Sequence, residues 1–404
     1  MGAAVLPEHS AVISGIGQSD VGRALGRDSL DLALDACLGA IEDAGLRPSD
    51  IDGVATYPGS PSPFPGFSGA GVYDIADALR LELTWYTGGY EIPAQLGSIV
   101  NAVLAIAGGL ATHVLCFRSI AEASAQGTQG RASVMTGVAE AERGECLRVS
   151  GTDQWTLPFG AASPVNLCAL MAQRHAAIYG TTREQLGALA VSSRRYASTN
   201  PKAVLRQPFT LDDYLAARMI SSPLCLLDCD IPVDGCTAVI VSSVDRVADL
   251  RKRPIRLEAM GSATRGRPSW DQRADMTTMA AHDAAEMMWQ RTDLKPSDVD
   301  FAELYDGFSI LTLFWLEALG FCGPGESGPM IEGGKLIAAD GALPLNTAGG
   351  QMSGGRLHAF GLLHEACAQL RGEAGARQLT KQVEIAAVGA GGGPPASCFL
   401  LTGG

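Results

Sequence analysis

Tyr305-Asp306-Gly307-Phe308 sets a phenol beside a carboxylate at the end of a β-type run, and proton transfer is the chemistry such a pair could do. An internal repeat marks the position. Leu46-Arg47-Pro48-Ser49-Asp50-Ile51-Asp52 is echoed by Leu294-Lys295-Pro296-Ser297-Asp298-Val299-Asp300, and each copy runs on through an apolar stretch to a tyrosine. The first copy ends in the bland Tyr57-Pro58-Gly59, the second in Tyr305-Asp306. One period this long is no solenoid, whose units run roughly 20–50 residues. It predicts two similar half-domains packed as one unit, with polar groups grafted onto one of them.

Other chemistries fail on spacing. Val12-Ile13-Ser14-Gly15-Ile16-Gly17 offers the start of a dinucleotide fingerprint, but the third glycine would fall at Asp20. Gly391, Gly392 and Gly393 are not followed by Lys-Ser or Lys-Thr, so a tight turn near a ligand is expected rather than a phosphate cradle. Cys225, Cys229 and Cys236 lie close together without the cysteine or histidine pairs of a zinc site, and no metal is expected.

The elements that must hold Tyr305 read as alternating strand and helix. Residues 12–17 are a short buried strand. Ser29 is expected to cap a helix running to Ala44, with Leu30, Leu34, Leu38 and Ile41 as its buried face and Gly45 as its stop. Residues 52–57 form the next strand. Residues 95–109 read as a helix buried on every side, and 114–117 as the strand after it. That order predicts α/β architecture with parallel strands. Residues 118–225 break the alternation with polar loops and helices at 164–179 and 182–198, and insertions on a rigid sheet often shape binding sites. The second half repeats the first order, with strands near 255–260, 300–304, 383–388 and 397–401 and helices near 276–289, 311–319 and 357–371. The expected organisation is an N-terminal half of 1–117 plus 226–250, an inserted region of 118–225 and a C-terminal half of 251–404.

Composition sets outer limits. The chain has 404 residues, too long for one ordinary core. A formal charge of −13 argues against nucleic acid or an anionic membrane as the main partner, without forbidding a local cationic mouth. No apolar run reaches the roughly 20 residues needed to span a bilayer. No basic, apolar and small-residue leader opens the chain, so a cytoplasmic protein with reduced cysteines is expected.

Taken together, the two halves and the insertion resemble the thiolase fold, a five-layer αβαβα arrangement. Ser222-Pro223-Leu224-Cys225 through Asp234-Gly235 is similar to the segment closing the insertion in sterol-carrier-protein-type thiolases. Tyr305-Asp306-Gly307-Phe308, followed by Leu319-Gly320-Phe321-Cys322-Gly323, resembles their His-Asp-Cys-Phe motif and its sequel. Asn346-Thr347-Ala348-Gly349-Gly350-Gln351 and Leu357-His358 stand where they carry Asn-Pro-Ser-Gly-Gly and Gly-His-Pro. The departures are chemical. Leu96 occupies the position of the nucleophilic cysteine, and Val388 to Gly393 lacks the second thiol. Both sulfurs of Claisen chemistry are missing.

Within that family the chain resembles the lipid-transfer-protein-like aldolases of bacterial steroid breakdown. The resemblance implies retro-aldol cleavage of a steroid β-hydroxyacyl-CoA to a 17-keto steroid and propionyl-CoA. No cofactor is implied beyond the coenzyme A of the substrate. It implies a zinc-ribbon/OB-fold partner, linked in some relatives to a hydratase, and a homodimer core extended to a heterotetramer. Tyr305 is then the candidate base and His358 the candidate oxyanion donor, with Asp306 orienting its neighbours. A phenol with a pKa near ~10 needs a cation or strong donors to serve as a base at neutral pH, and Arg356 or His358 could supply that field. Gly349, Gly350, Gln351, Gly391 and Gly392 are candidate substrate-binding positions. Arg356 replaces the aldolases' second tyrosine; it stays protonated, so a CoA phosphate or a carboxylate is its expected partner. A thiolase-type acyltransferase and an inactive scaffold or lipid-carrier subunit are the alternatives.

Overall fold

The computed structural model describes residues 6–59, 65–126, 153–161, 163–267 and 269–403. Its strands are β1 (Ala11–Gln18), β2 (Gly53–Thr56), β3 (Trp85–Gly88), β4 (His113–Ala121), β5 (Met219–Ser221), β6 (Leu224–Cys225), β7 (Asp234–Ser243), β8 (Ile255–Gly261), β9 (Phe301–Leu304), β10 (Ile385–Ala390) and β11 (Ser397–Gly403). The longer helices are α1 (Ser29–Ala44), α2 (Val72–Leu79), α3 (Gly97–Ala107), α4 (Pro164–Tyr179), α5 (Arg183–Thr199), α6 (Ala280–Trp289), α7 (Ser309–Ala318) and α8 (Phe360–Arg371).

The sequence repeat is a pair of backbone latches. In each copy the Pro-Ser-Asp stretch makes one short 3-10 turn. Asp50 accepts the Arg47 N–H at 2.8 Å, and Asp298 accepts that of Lys295 at 2.8 Å. The second aspartate of each copy then reaches across the sheet. Asp52 accepts the N–H groups of Thr112 and His113 at the mouth of β4. Asp300 accepts those of Glu384 and Ile385 at the mouth of β10. Each copy thus fixes where a strand begins beside its parallel neighbour.

Nine strands join in the order β3-β2-β4-β7-β1-β8-β11-β10-β9, and β5 pairs with β6 apart from them. The order β2-β4-β7-β1 in one half matches β9-β10-β11-β8 in the other, with the same directions. Among the strand pairs of the described residues only β2–β3, β2–β4 and β9–β10 are parallel, so the expectation of a parallel sheet holds for the strands joined through helices. The β10–β11 pair is antiparallel because a short glycine-rich turn connects it. The halves meet at β1 and β8 through Val12 opposite Arg256 and Ile13 opposite Ile255.

Both faces of the sheet are covered. Leu115 and Phe117 of β4 pack with α1, while Val114 and Cys116 face the cluster holding α3. Helix α8 touches β1 and β7 of the first half as well as β9, β10 and β11 of the second. Helix α1 differs from the sequence reading in two ways. Asp28, not Ser29, caps it, and Ser29 Oγ donates to the Gly69 carbonyl. Its buried stripe runs through Ala33, Ala36, Ala40 and Ala44, while Leu38 is exposed. Glycine explains the alanines: a Cβ on Gly17 would lie 2.2 Å from the Ala36 carbonyl oxygen. The supposed dinucleotide glycines therefore let β1 lie close against α1. Helix α3 is not buried on every side, since Leu104 is 48% exposed. Of the inserted region, residues 127–152 lie outside the described part of the chain. Among the described residues no helix is long and apolar enough to cross a membrane.

Candidate active site

A cavity of about 360 Å³ gathers residues from both halves. Its apolar walls include Tyr57, Phe67, Tyr90, Trp270, Phe308 and Leu311, and its polar groups are Gln95, Glu122, Gln126, Asp230, Tyr305, Arg356 and His358. Gly391 and Gly392 border it as well, in the turn between β10 and β11. Tyr305, Arg356, His358, Gly391 and Gly392, separated in sequence, therefore share one site. The repeat-equivalent Tyr57 shares it too, as a half-buried residue.

Tyr305 leaves the end of β9 with its carbonyl accepting from Thr312 Oγ1 at 3.3 Å. Its ring lies over Gly307, where a Cβ would sit 2.6 Å from Tyr305 Cε1. Asp306 is fully buried and does not line the cavity. Its carboxylate accepts the N–H groups of Gln351 at 2.8 Å and Met352 at 3.4 Å. Burial raises its pKa to about 7 against the opposing pull of those N–H groups. Gly350, at φ +55°, is what lets the carboxylate approach, because a Cβ there would lie 1.9 Å from Asp306 Oδ2. Gly349, Gly350 and Gln351 are likewise absent from the main cavity. They form the turn that leads to Arg356 and His358, and Gly350 and Gln351 border a separate hollow of about 160 Å³ with Lys202, His364 and Glu365.

Arg356 is almost wholly buried and already matched by acids. Its Nη2 pairs with Glu122, and its Nη1 lies 3.5 Å from Asp230 Oδ1. Burial opposes its charge, but Asp230 and Glu122 together hold its pKa above the usual value. A guanidinium so placed is a buried part of the cavity lining with carboxylates for partners, not a surface cation. Asp230 reaches the site because Cys229 pairs with Phe308 and the Asp230 N–H donates to the Gly307 carbonyl at 3.1 Å.

His358 and Ala359 enter α8 in the left-handed region, at φ +48° and +65°. This conformation is costly for residues with a Cβ and persists only where surroundings enforce it. One enforcing contact comes from Arg118 of β4, whose Nη2 donates to His358 Nδ1 at 2.9 Å. Another is the Phe67 ring, edge-on to His358 at 4.9 Å between centroids.

Arg118, Glu122, Asp230 and Gln95 are site residues that motif reading missed. A signal existed for Arg118: a charged residue continues an otherwise apolar buried strand. Leu96 is buried at the start of α3 and does not line the cavity, whereas its neighbour Gln95 does. Gln95 Oε1 is buried there without a hydrogen-bond partner. None of the described cysteines borders the cavity, and Cys146 lies outside the described residues. Among the described residues, no cluster of His, Cys, Asp or Glu is placed to hold a metal ion.

Comparison with known proteins identifies the family. Residues 262–401 match the family described as thiolase C-terminal domain-like. The chain is 33% identical over 403 residues to the 17-hydroxy-3-oxo-4-pregnene-20-carboxyl-CoA lyase of Mycobacterium tuberculosis, covering 97% of this chain and 98% of that one. It is 35% identical over 413 residues to a steroid side-chain-cleaving aldolase of Thermomonospora curvata, covering 98% of each. A solved Ltp2-ChsH2(DUF35) aldolase structure superposes with a TM-score of 0.84 at 32% identity over 98% of both chains. The chain therefore belongs to the thiolase superfamily, in the sterol-carrier-protein-like branch that holds the steroid side-chain-cleaving aldolases.

Proposed function

We propose that the chain is a carbon–carbon lyase that removes a β-hydroxyacyl-CoA side chain from a steroid by a retro-aldol step. The tertiary hydroxyl loses its proton, and the bond from the carbinol carbon to the thioester α-carbon breaks. The bonding pair becomes a thioester enolate, and the carbinol carbon becomes the 17-ketone. Protonation of the α-carbon then gives propionyl-CoA. Water adds nothing and no acyl-enzyme forms, so leucine at position 96 is no obstacle.

One observation carries this reading: Tyr305 and His358 border a largely aromatic cavity in which no described cysteine is present. The cavity volume falls within the roughly 300–1,000 Å³ of small-molecule sites, and its walls suit an apolar ring system. Tyr305 accepts the hydroxyl proton. Glu122 and Asp230 line the same cavity, and Tyr305 passes the proton on to one of these carboxylates. His358 donates to the thioester oxygen as negative charge develops there. The DUF35 component of the solved relative favours a partner of that type for this chain, which we take to be the expected zinc-ribbon/OB-fold protein.

The test is incubation of the chain, with and without its zinc-ribbon partner, with 17-hydroxy steroid CoA thioesters, reading propionyl-CoA by mass spectrometry. Tyr305→Phe should lower kcat by about 10²–10⁴-fold. Full activity in that variant would remove Tyr305 as proton carrier. Absence of cleavage by the wild-type complex would end the lyase reading, and inactivation through a single alkylated cysteine would favour an acyltransferase.

A further inference from the structure

Arg118 is fully buried against His358 and does not itself line the cavity. Burial pulls its pKa down to about 10, still far above neutrality, so the group remains a cation that can only donate hydrogen bonds. Its Nη1 donates to the Ser119 carbonyl at 2.9 Å, and its Nη2 to His358 Nδ1 at 2.9 Å. The guanidinium also lies 4.7 Å from the Phe67 ring centroid and 5.6 Å from that of Tyr57. Two hydrogen bonds and two ring faces therefore fix its orientation. Arg356, the other buried guanidinium here, has two carboxylates; among the described residues none forms an ion pair with Arg118.

A donor-only group on Nδ1 has a chemical consequence. That nitrogen must accept, so the neutral imidazole carries its hydrogen on Nε2. The nearby positive charge polarises the Nε2–H bond, making it a stronger donor. We propose that Arg118 is a positioning residue for the cleavage reaction: it holds His358 as the Nε2–H tautomer, ready to donate to the enolate oxygen. The role rests on the lyase reading, whereas the tautomer follows from the Arg118–His358 contact itself.

Histidine-selective ¹³C and ¹⁵N NMR of the full chain with its partner decides the matter. The chain has six histidines, and a His358→Gln spectrum identifies the relevant signals. Wild type should show His358 as the Nε2–H tautomer, Arg118→Met should lose that bias, and Arg118→Lys, still a donor-only cation, should keep it. In the cleavage assay Arg118→Met should lower kcat about 10- to 100-fold with KM nearly unchanged, less than the 10²–10³-fold loss of a whole oxyanion donor. Arg118→Lys should recover most of the rate, which a purely structural role would not predict. An Nδ1–H tautomer in wild type overturns the proposal, and that reading needs no Arg118 variant to fold. So does an unchanged tautomer in soluble Arg118→Met. Should the wild-type complex cleave no steroid thioester, the lyase reading falls with the catalytic role of Arg118, whatever tautomer is found.

Discussion

Replacing Asp306 by asparagine should make the protein more stable at alkaline pH relative to wild type, and the size of the effect follows from the burial of the carboxyl group. Its folded-state pKa is about 7 against 3.8 for an exposed aspartate. The native state thus holds a proton that the unfolded chain releases, and stability falls as pH rises through that interval, by about 1.4 kcal/mol per unit. From pH 5.5 to 8 the wild-type loss sums to about 2 kcal/mol, ending once Asp306 itself ionises near pH 7. The substituted amide cannot titrate, so this loss is absent from the variant. It keeps one acceptor for the Gln351 N–H but turns an NH₂ group toward Met352, which costs about 1 kcal/mol at every pH. Thermal unfolding from pH 5.5 to 8 should therefore show Asp306→Asn gaining about 2–3 °C on wild type, taking roughly 2 cal/mol/K per residue for the unfolding entropy. A difference in melting temperature that stays constant with pH would show that Asp306 is ionised throughout and would refute the reasoning. Because Asp306 does not line the cavity, cleavage activity in the variant should stay within a few-fold of wild type.

Three other substitutions probe the same region. Gly350→Ala drives a Cβ against the Asp306 carboxylate from a left-handed backbone, and should destabilise by about 2–4 kcal/mol in urea unfolding. Arg356→Met leaves Glu122 and Asp230 buried without their cation, and should cost about 3–5 kcal/mol, with soluble yield as the first readout. Gln95→Leu removes the buried acceptor without a partner. It should raise KM for hydroxylated thioesters by about tenfold and leave the melting temperature within a degree, as expected of a group that meets substrate and not protein.

Much of the fold was legible in sequence because its signals are local. Apolar periodicity located most strands of the large sheet but not β3, β5 or β6, Gly45 ended α1 as expected, and the Pro-Ser-Asp repeat announced two halves. Strand direction was not legible, since it depends on which connections are hairpins and which cross over. The site was legible where a motif names it, as at Tyr305, Arg356 and His358. It was not legible at Glu122 and Asp230, and at Arg118 only as a charge in a buried strand, because these lie in separate elements that only the fold gathers around the cavity. Gly349, Gly350 and Gln351 look like ligand-binding residues in sequence. In space they are the backing that holds Asp306 and aims the chain at His358.

The β1–β8 seam carries a geometric consequence. Equivalent strands of the two halves pair antiparallel there, and the strand order reads the same outward from it in both directions, apart from the extra edge strand β3. A local twofold axis therefore passes through the molecule, and Tyr57 and Tyr305 reach one cavity as its two images. The proposed ligand, sterol at one end and coenzyme at the other, has no such symmetry. Its direction in the cavity must be read from whatever breaks the duplication: Asp306 follows one tyrosine where Pro58 follows the other, and the helix entered through His358 has Leu96 at the head of its counterpart. The duplicated frame offers two equivalent orientations, and these few unmatched residues select between them.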